Sequence, residues 1–476
     1  MTGLLAYGAY VPRHRLQRSE LAAALGTRAG KGARAVASYD EDSTTMGVEA
    51  ARRALARGGC PDSIYFATTA PAYVDKTNAT AIHAALDLGH RGFAVDLAGA
   101  SRSAVGALRA AATTGGLAVL ADIRTGRPGS ADERDGGDAA AAFLFGEGSG
   151  GGEFEQSEGW RGSTPPSEPI AVLVAQAAAT AEFLDRWRLP GSDASNGWEE
   201  RFGLESYLPL INDAASRALA RAGLEQADRV VISSPHSRAA VAAAKAFPPR
   251  IETSAPGVGY AGAADLGIKL AAELDEAGPD ETLLLIHAAD GCDAVVLRTT
   301  SALPAGRAAA PVDGQLSAGR DVRYATFLAW RGVIERETPR RPEPDRPAGP
   351  PSARSEAWKF GFVGSRCTEC GRVHVPPTRV CSGCRAVDRM ERIPLAGRPG
   401  TVATYTVDRL AYSPSPPMID VVVDFDGGGR YTLEMTDASP DEVEIGARVE
   451  MTFRRLYTTG GVHNYFWKAR PAQNGK

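Results

Sequence analysis

The sequence contains no run of about 18 apolar residues, the length a helix needs to cross a bilayer, so a helical membrane protein is excluded. Its start, MTGLLAYGAYVPRHRLQ, has no basic stretch leading into an apolar one. No secretory signal is therefore expected, and the cytoplasm is the expected compartment. There is no surplus of positive charge: 53 Lys and Arg stand against 57 Asp and Glu, for a formal charge of -4. Without a basic footprint, nucleic acid is not expected as a partner, and neither is a membrane. A Walker loop is missing, as is a full G-x-G-x-x-G between strand and helix; GSGGGE reads as a loop and not a phosphate cradle. His14, His83, His90, His287 and His463 have no mutual metal spacing. Cysteine is scarce, six residues in all, and four of them sit together. What remains is an ordinary globular composition, 43% hydrophobic and 23% charged over 476 residues. That length suggests about three domains.

The chain changes character near residue 337. Glu337–Arg354 reads ETPRRPEPDRPAGPPSAR, and proline at that density predicts a stiff, extended connector. Before it, short apolar runs alternate with helical patterns. Strands are expected at Leu4–Tyr10, Ser63–Thr68, Gly92–Leu97, Leu117–Asp122 and Ala139–Phe145. They resume at Ile170–Ala175, Arg229–Ser233, Thr282–His287 and Asp293–Thr299. Helices are expected at Thr44–Arg57, Ser103–Thr114, Leu210–Ala222, Ala239–Ala246 and Ala263–Glu276. This alternation implies βαβ units with mostly parallel, buried strands. The pattern runs twice, with a Gly/Ser-rich connector, GEGSGGGEFEQSEGWRGSTPPSEP, between the two runs. After the proline segment the period shortens. Thr401–Tyr405, Met418–Phe425, Arg430–Met435, Arg448–Arg455 and Tyr465–Arg470 read as strands of a small β-barrel.

The four clustered cysteines fall in CTECGRVHVPPTRVCSGC: C-x2-C, ten residues, C-x2-C. Each pair makes a knuckle that aims two sulfurs at one ion, and two knuckles give the S4 shell that suits Zn2+. Cys367, Cys370, Cys381 and Cys384 are thus expected to hold a structural zinc, because four thiolates leave no open position for water. His374, between the knuckles, reads as a surface residue. The ribbon and the following strands, with WKFGFVGSRCTECG, PPTRVCSGC, GTVATYTVDRL and DEVEIGARVEMTFRRL, resemble the rubredoxin-like zinc-ribbon plus OB-fold module that accompanies thiolase-type enzymes. The resemblance implies that the module helps an acyl thioester reach its enzyme. Tyr405, Tyr431, Tyr457, Tyr465, Phe466 and Trp467 are either stacking surfaces or barrel core.

In the long region, GFAVDLAGASRSAVGALRAA resembles the nucleophile segment of the thiolase superfamily, in particular β-ketoacyl-acyl carrier protein synthase III and hydroxymethylglutaryl-CoA synthase. The family pattern D-x-x-x-A-C-x-G is met by Asp96 and Ala100, with Ser101 where the cysteine stands. VVISSPHSRAA matches the family's Pro-His with His236. In PGVGYAGAADLGIKLAAEL, Tyr260 falls on the asparagine of G-N-T-x-A-A. In YFATTAPAYVDKT, Thr69 falls where the synthases carry a general-base glutamate. YVPRHRL, GGDAAAAFLFG and AEFLDRWRLPGSDASNGWEERF match as well. The resemblance implies a duplicated α-β-α-β-α fold, followed by a zinc ribbon and an OB barrel. It places thiolase-like halves at 1–165 and 166–336, a linker at 337–357, the ribbon at 358–392 and the OB-fold at 393–476. A homodimer is also implied.

The implied activity is acyl transfer or Claisen-type condensation on thioesters of coenzyme A or acyl carrier protein. A helix N-terminus gives a cysteine a ready thiolate, whereas serine needs a base. His236 is the candidate base, and serine serves as acyl acceptor in some starter-unit members of the synthase III group. The plainer reading of Ser101 is a helix cap, and that of His236 a satisfied buried residue. Tyr260 is either a donor to a developing enolate or a wall of the acyl pocket. Loss of cysteine and asparagine together leaves two alternatives open. One is an aldolase or retro-aldolase that uses Tyr260 as acid/base without an acyl-enzyme. The other is a non-catalytic subunit that binds acyl thioesters. Cys292 reads as a buried free thiol.

Overall fold

A computed structural model describes residues 2–28, 30–147, 168–252, 256–337, 339 and 341–472. The Gly/Ser-rich connector falls largely at 148–167, outside the described residues. The described chain divides into two units. The first comprises residues up to Ser38, then Asp42–Thr80 and His90–Phe327.

The first unit is built on β1 (Thr2–Tyr10), β2 (Ser63–Thr68), β3 (Phe93–Ala98), β4 (Gly116–Asp122), β5 (Ala139–Glu147), β6 (Ala171–Ala179), β7 (Arg229–Ser233), β8 (Thr282–Ala288) and β9 (Cys292–Thr299). They form a nine-stranded ladder in the order β7-β8-β9-β6-β1-β5-β4-β2-β3. The order repeats. In the first half β2 runs parallel to β4, and β4–β5 and β5–β1 are antiparallel. In the second half β7 runs parallel to β8, and β8–β9 and β9–β6 are antiparallel. The halves meet at the single pairing Leu4↔Ala171. The first half carries one more strand, β3, at its edge.

Five helices complete the layers: α1 (Ser43–Leu55), α2 (Ser103–Thr114), α3 (Glu200–Ala222), α4 (Ser237–Ala246) and α5 (Asp265–Glu276). Ala104, Ala107 and Ala111 of α2 share one apolar cluster with Leu266, Leu270 and Leu274 of α5. Tyr207, Ile211 and Ala215 of α3 share another with Ala239 and Ala243 of α4, on strands β8 and β9. Small side chains at these contacts let helices lie close on the sheets. The expected strands are all present. Helix α3 is ten residues longer than the pattern predicted, because Pro209 reads as a helix stop and the helix runs through it.

The second unit comprises Leu328–Lys476 with Tyr39–Glu41 and Ala81–Gly89. Its ribbon has β10 (Val363–Cys367), β11 (Val373–His374) and β12 (Met390–Pro394), with β10 central. Its barrel has β13 (Gly400–Asp408), β14 (Met418–Phe425), β15 (Arg430–Glu434), β16 (Arg448–Thr459) and β17 (Val462–Pro471). The order is β15-β14-β13-β16-β17, and a bridge from Met435 to Ala469 closes the ring. Trp467 and Tyr465 point into the core, so most of the stacking potential of β17 is packing. Trp467 stacks on Phe362 at 5.9 Å and donates to the Phe360 carbonyl at 2.6 Å.

The proline-rich stretch is not a free connector. Pro350 and Pro351 open a helix, Gly349–Arg354, where a missing N–H does no harm. Further back, Arg341 pairs with Asp408 at 2.8 Å and the Asp345 carbonyl accepts from Tyr457 at 3.3 Å.

A buried ion cluster lies within this unit. Arg454 meets Asp40 at 3.2 Å, Glu41 at 2.9 Å and Asp437 at 2.8 Å. Lys468 meets Asp40 at 3.1 Å and Glu434 at 2.9 Å. Burial works against the Lys468 charge, but Glu434, Tyr39 and Asp40 outweigh it and push its proton affinity up.

Candidate active site and metal centre

Ser101 lies between β3 and α2, in the turn that starts the helix. Its carbonyl accepts the Ala104 N–H at 3.1 Å. Its hydroxyl does not cap the helix. It lies instead within reach of the Tyr260 side chain, which arrives from the second half, and lowers that phenol's proton affinity. The next residue, Arg102, fixes this helix end. Its Nε pairs with Asp293 of β9 at 2.7 Å, and its Nη1 donates to the Asp290 carbonyl at 2.8 Å. Gly291 makes room for it: a Cβ there would stand 2.5 Å from Arg102 Nη1, and its φ of +130° disfavours any other residue.

Tyr260 is held by its backbone. Its N–H donates to Asp135 O at 2.8 Å and its carbonyl accepts from Gly137 at 3.0 Å. Burial pushes the phenol up, and Arg124 works against that rise. The phenol is therefore neutral at physiological pH, with a proton to give. The Arg124 guanidinium stands 5.6 Å from the centre of the Tyr260 ring and is itself buried. Its Nη1 donates to Thr69 Oγ1 at 3.1 Å, and Thr69 Oγ1 donates to Asp122 Oδ2 at 2.7 Å. Asp122 is fully buried and also accepts from Ala263 N at 2.8 Å. Burial pushes its carboxyl up, while Arg124 and these hydrogen bonds pull it down. Arg188 donates to the Thr69 carbonyl, and Arg186 pairs with Asp132.

His236 opens α4 and caps it. Its Nδ1 accepts from Ala239 N at 3.1 Å, and its Nε2 faces the Glu200 carbonyl at 2.8 Å. A nitrogen that accepts carries no proton, so the ring is the neutral Nε2–H tautomer. The ring packs on Tyr207 at 5.8 Å, beside Asp185. Burial pushes the Asp185 carboxyl up and His236 opposes it. Gly203 of α3 permits this approach. A Cβ there would stand 2.6 Å from His236 Cδ2 and against Asp185 Oδ1.

Ser101 and Tyr260 thus come within reach of each other. Among the described residues no hydrogen bond joins His236 to either, so the expected Ser101–His236 pair is not formed in this conformation. Tyr207 connects the two groups: it lies against His236 and within electrostatic reach of Tyr260. Cys292 is buried, and burial pushes its thiol up to about 12, which makes it a poor nucleophile. Sequence reasoning missed Arg124, Arg188, Asp185 and Tyr207. Asp185 and Arg188 lay inside a matched segment. Arg124 had as its only signal a charged residue directly after a buried strand.

The metal centre lies in the second unit. The Sγ atoms of Cys367, Cys370, Cys381 and Cys384 all fall within 4.8 Å of one another. Cys367 and Cys384 are 3.6 Å apart, and Cys370 and Cys381 are 3.5 Å apart. A tetrahedral Zn–S shell with arms of about 2.3 Å has edges of about 3.8 Å, so the cage fits. Gly383 N donates to Cys381 Sγ at 3.3 Å, the kind of amide support a thiolate needs. The bound ion would cross-link the two knuckles and leave no open coordination position. His374 is buried beside Cys381 and is not the surface residue its sequence context suggested.

The repeated strand order, the α-β-α-β-α layers and a hydroxyl at the mouth of α2 define a thiolase-type condensing-enzyme fold. The hydroxymethylglutaryl-CoA synthase of Archaeoglobus fulgidus is 30% identical over 364 residues, which is 70% of this chain and 100% of that protein. The chain belongs to the hydroxymethylglutaryl-CoA synthase family, a group of carbon–carbon bond-forming acyltransferases. A solved HMG-CoA synthase complexed with CoA has the same fold, with a TM-score of 0.56 at 15% identity over 68% of this chain and 89% of its own. Residues 361–391 match the family described as ChsH2, rubredoxin-like zinc ribbon domain, and residues 393–454 match ChsH2, C-terminal OB-fold domain. A DUF35 domain-containing scaffold protein of Methanocaldococcus jannaschii is 34% identical over 121 residues, 24% of this chain and 85% of that protein. Among the described residues no helix is long and apolar enough to cross a membrane.

Proposed function

We propose that the chain joins acyl thioesters of coenzyme A by acyl transfer to Ser101 followed by carbon–carbon bond formation. The observation that supports this is the approach of Tyr260, from one half, to Ser101 at the N-terminus of α2 in the other. In the first step Ser101 Oγ attacks the thioester carbonyl. The C–S bond breaks, and the thiol leaves with the hydroxyl's proton. In the second, the α-carbon of another thioester gives up a proton and attacks the ester, and the displaced serine oxygen takes that proton as its C–O bond breaks. Tyr260, kept protonated by burial, donates to the oxyanion that develops in each step. His236 can take a proton only at Nδ1, by releasing the Ala239 N–H. The zinc ribbon and OB barrel present the thioester. A second copy of the chain pairs along β3, a half-exposed edge strand that begins at the exposed Phe93.

One observation favours a second reading. His236 is bonded at both nitrogens. A site with a fixed acid and no free base suits carbon–carbon cleavage in which Tyr260 exchanges a proton with a 3-hydroxy thioester and no acyl-enzyme forms. Incubation with a panel of acyl-CoA esters followed by mass spectrometry separates the readings. An acyl mass on the Ser101 peptide, lost in Ser101→Ala, supports transfer. Cleavage of 3-hydroxyacyl-CoA without an adduct, lost in Tyr260→Phe, supports the aldolase. Binding with neither outcome marks a scaffold subunit.

A further inference from the structure

Arg124 is a buried cation whose nearest carboxylate, Asp122, is joined to it only through the Thr69 hydroxyl. It is 6% exposed, and its guanidinium makes one hydrogen bond, to the Thr69 hydroxyl. Among the described residues it forms no ion pair; Asp122 is reached only through Thr69. Arg188 approaches the same residue from the other side and donates to the Thr69 carbonyl. It too makes no ion pair among the described residues. Arg186, the third arginine nearby, is neutralised by Asp132. Two guanidinium groups therefore converge on one threonine, and one of them lies over the ring of Tyr260, whose side chain is within reach of Ser101. Among the described residues neither guanidinium touches a carboxylate directly, although Asp122 lies within electrostatic reach of both. Most of the donors of each guanidinium remain unused, and the paired geometry of such donors matches a carboxylate.

We infer that Arg124 and Arg188 bind a carboxylate on the acyl chain, so that the preferred substrate is a dicarboxylic monothioester, bound through its thioester near Ser101 and through its free acid at Thr69. This inference rests on the thioester reading above and narrows it from acyl chains in general to acidic ones. A phosphate group of coenzyme A is the wrong ligand for this place. Arg124 lies beside Tyr260, whose side chain faces the reacting Ser101, whereas the phosphates sit at the far end of the coenzyme from the thioester.

The test measures dissociation constants for free CoA, propionyl- and butyryl-CoA, and malonyl-, succinyl- and glutaryl-CoA. The proteins are the full chain with its metal, Arg124→Gln, Arg188→Gln and Arg124→Lys. At least one acidic ester should bind about tenfold or more tightly than the neutral ester nearest in length, the size expected for hydrogen bonds to a charged group. That ratio should fall toward one in both glutamine variants and recover in part in Arg124→Lys. Melting curves confirm that each variant is folded. If Arg124→Gln does not fold, Arg188→Gln alone decides. Equal affinity for acidic and neutral esters in the unaltered protein overturns the inference while the thioester reading stands. A ratio that survives in the glutamine variants also overturns it. If neither free CoA nor any ester binds, the thioester reading fails, and the inference fails with it.

Discussion

A tyrosine that never ionises in the working range is useful as an acid, and Tyr260 is held in that state by burial. Tyr260→Phe keeps the ring that packs under Arg124 and removes only the proton. Turnover is expected to fall about 10²–10⁴-fold, with KM little changed. Steady-state kinetics check this, and an acyl mass retained on Ser101 would show which step fails. His287 supplies a pH dependence. It lies in β8 with Nδ1 3.1 Å from Ser233 Oγ, and its Nε2 has no hydrogen-bond partner among the described residues. Burial holds its pKa down at about 4, against an ordinary value of 6.5. Above pH 6.5 the ring is neutral whether folded or unfolded, and it contributes nothing to the pH dependence. As pH falls from 6.5 toward 4, only the unfolded chain takes up the proton, so stability declines, by about 3 kcal/mol at the lower end. Urea titrations at neutral and acid pH should show that decline in the wild type. His287→Gln should show a smaller one.

At the scale of elements, the site depends on how closely α3 approaches the loop before α4. Gly203 sits against His236 and Asp185, so Gly203→Ala forces the first turn of α3 away from both. Overpacking of this kind lowers stability by about 1–3 kcal/mol. The activity loss should exceed what that destabilisation explains at low temperature, and paired melting and kinetic measurements would show it. The elements themselves were largely legible. The apolar run Thr282–Ala288 is a fully buried strand, and Ser103–Thr114 is a helix with the ends its pattern predicts. The C-x2-C spacing alone placed four sulfurs in one cage. What stayed hidden depended on contacts between distant parts of the chain. A histidine that follows Ser-Pro gives no sign that its ring will cap α4 and meet the start of α3. An arginine after β4 gives no sign that it will end under a tyrosine 136 positions on. Pro209 hid the first turns of α3 because a local rule was overruled by packing of its apolar face.

For the whole molecule, metal and buried charge hold the second unit. Chelation of the ion is expected to unfold the ribbon at 361–391, because its short strands bury little without the cross-link. Limited proteolysis should then cut between the knuckles, and metal analysis should give one zinc per chain, lost in Cys370→Ser. Lys468→Met leaves the Glu434 carboxylate without its cation and Asp40 with Arg454 alone. That is expected to destabilise the unit by about 3–5 kcal/mol, measured by denaturant unfolding. Tyr39–Glu41 belongs to this unit although the residues on either side belong to the other, an arrangement no local pattern announces. The doubled strand order has a different consequence. One hydroxyl of the Ser101–Tyr260 pair comes from each copy of the repeat. Neither copy of the repeat holds both hydroxyls, so either half produced alone would carry an incomplete site.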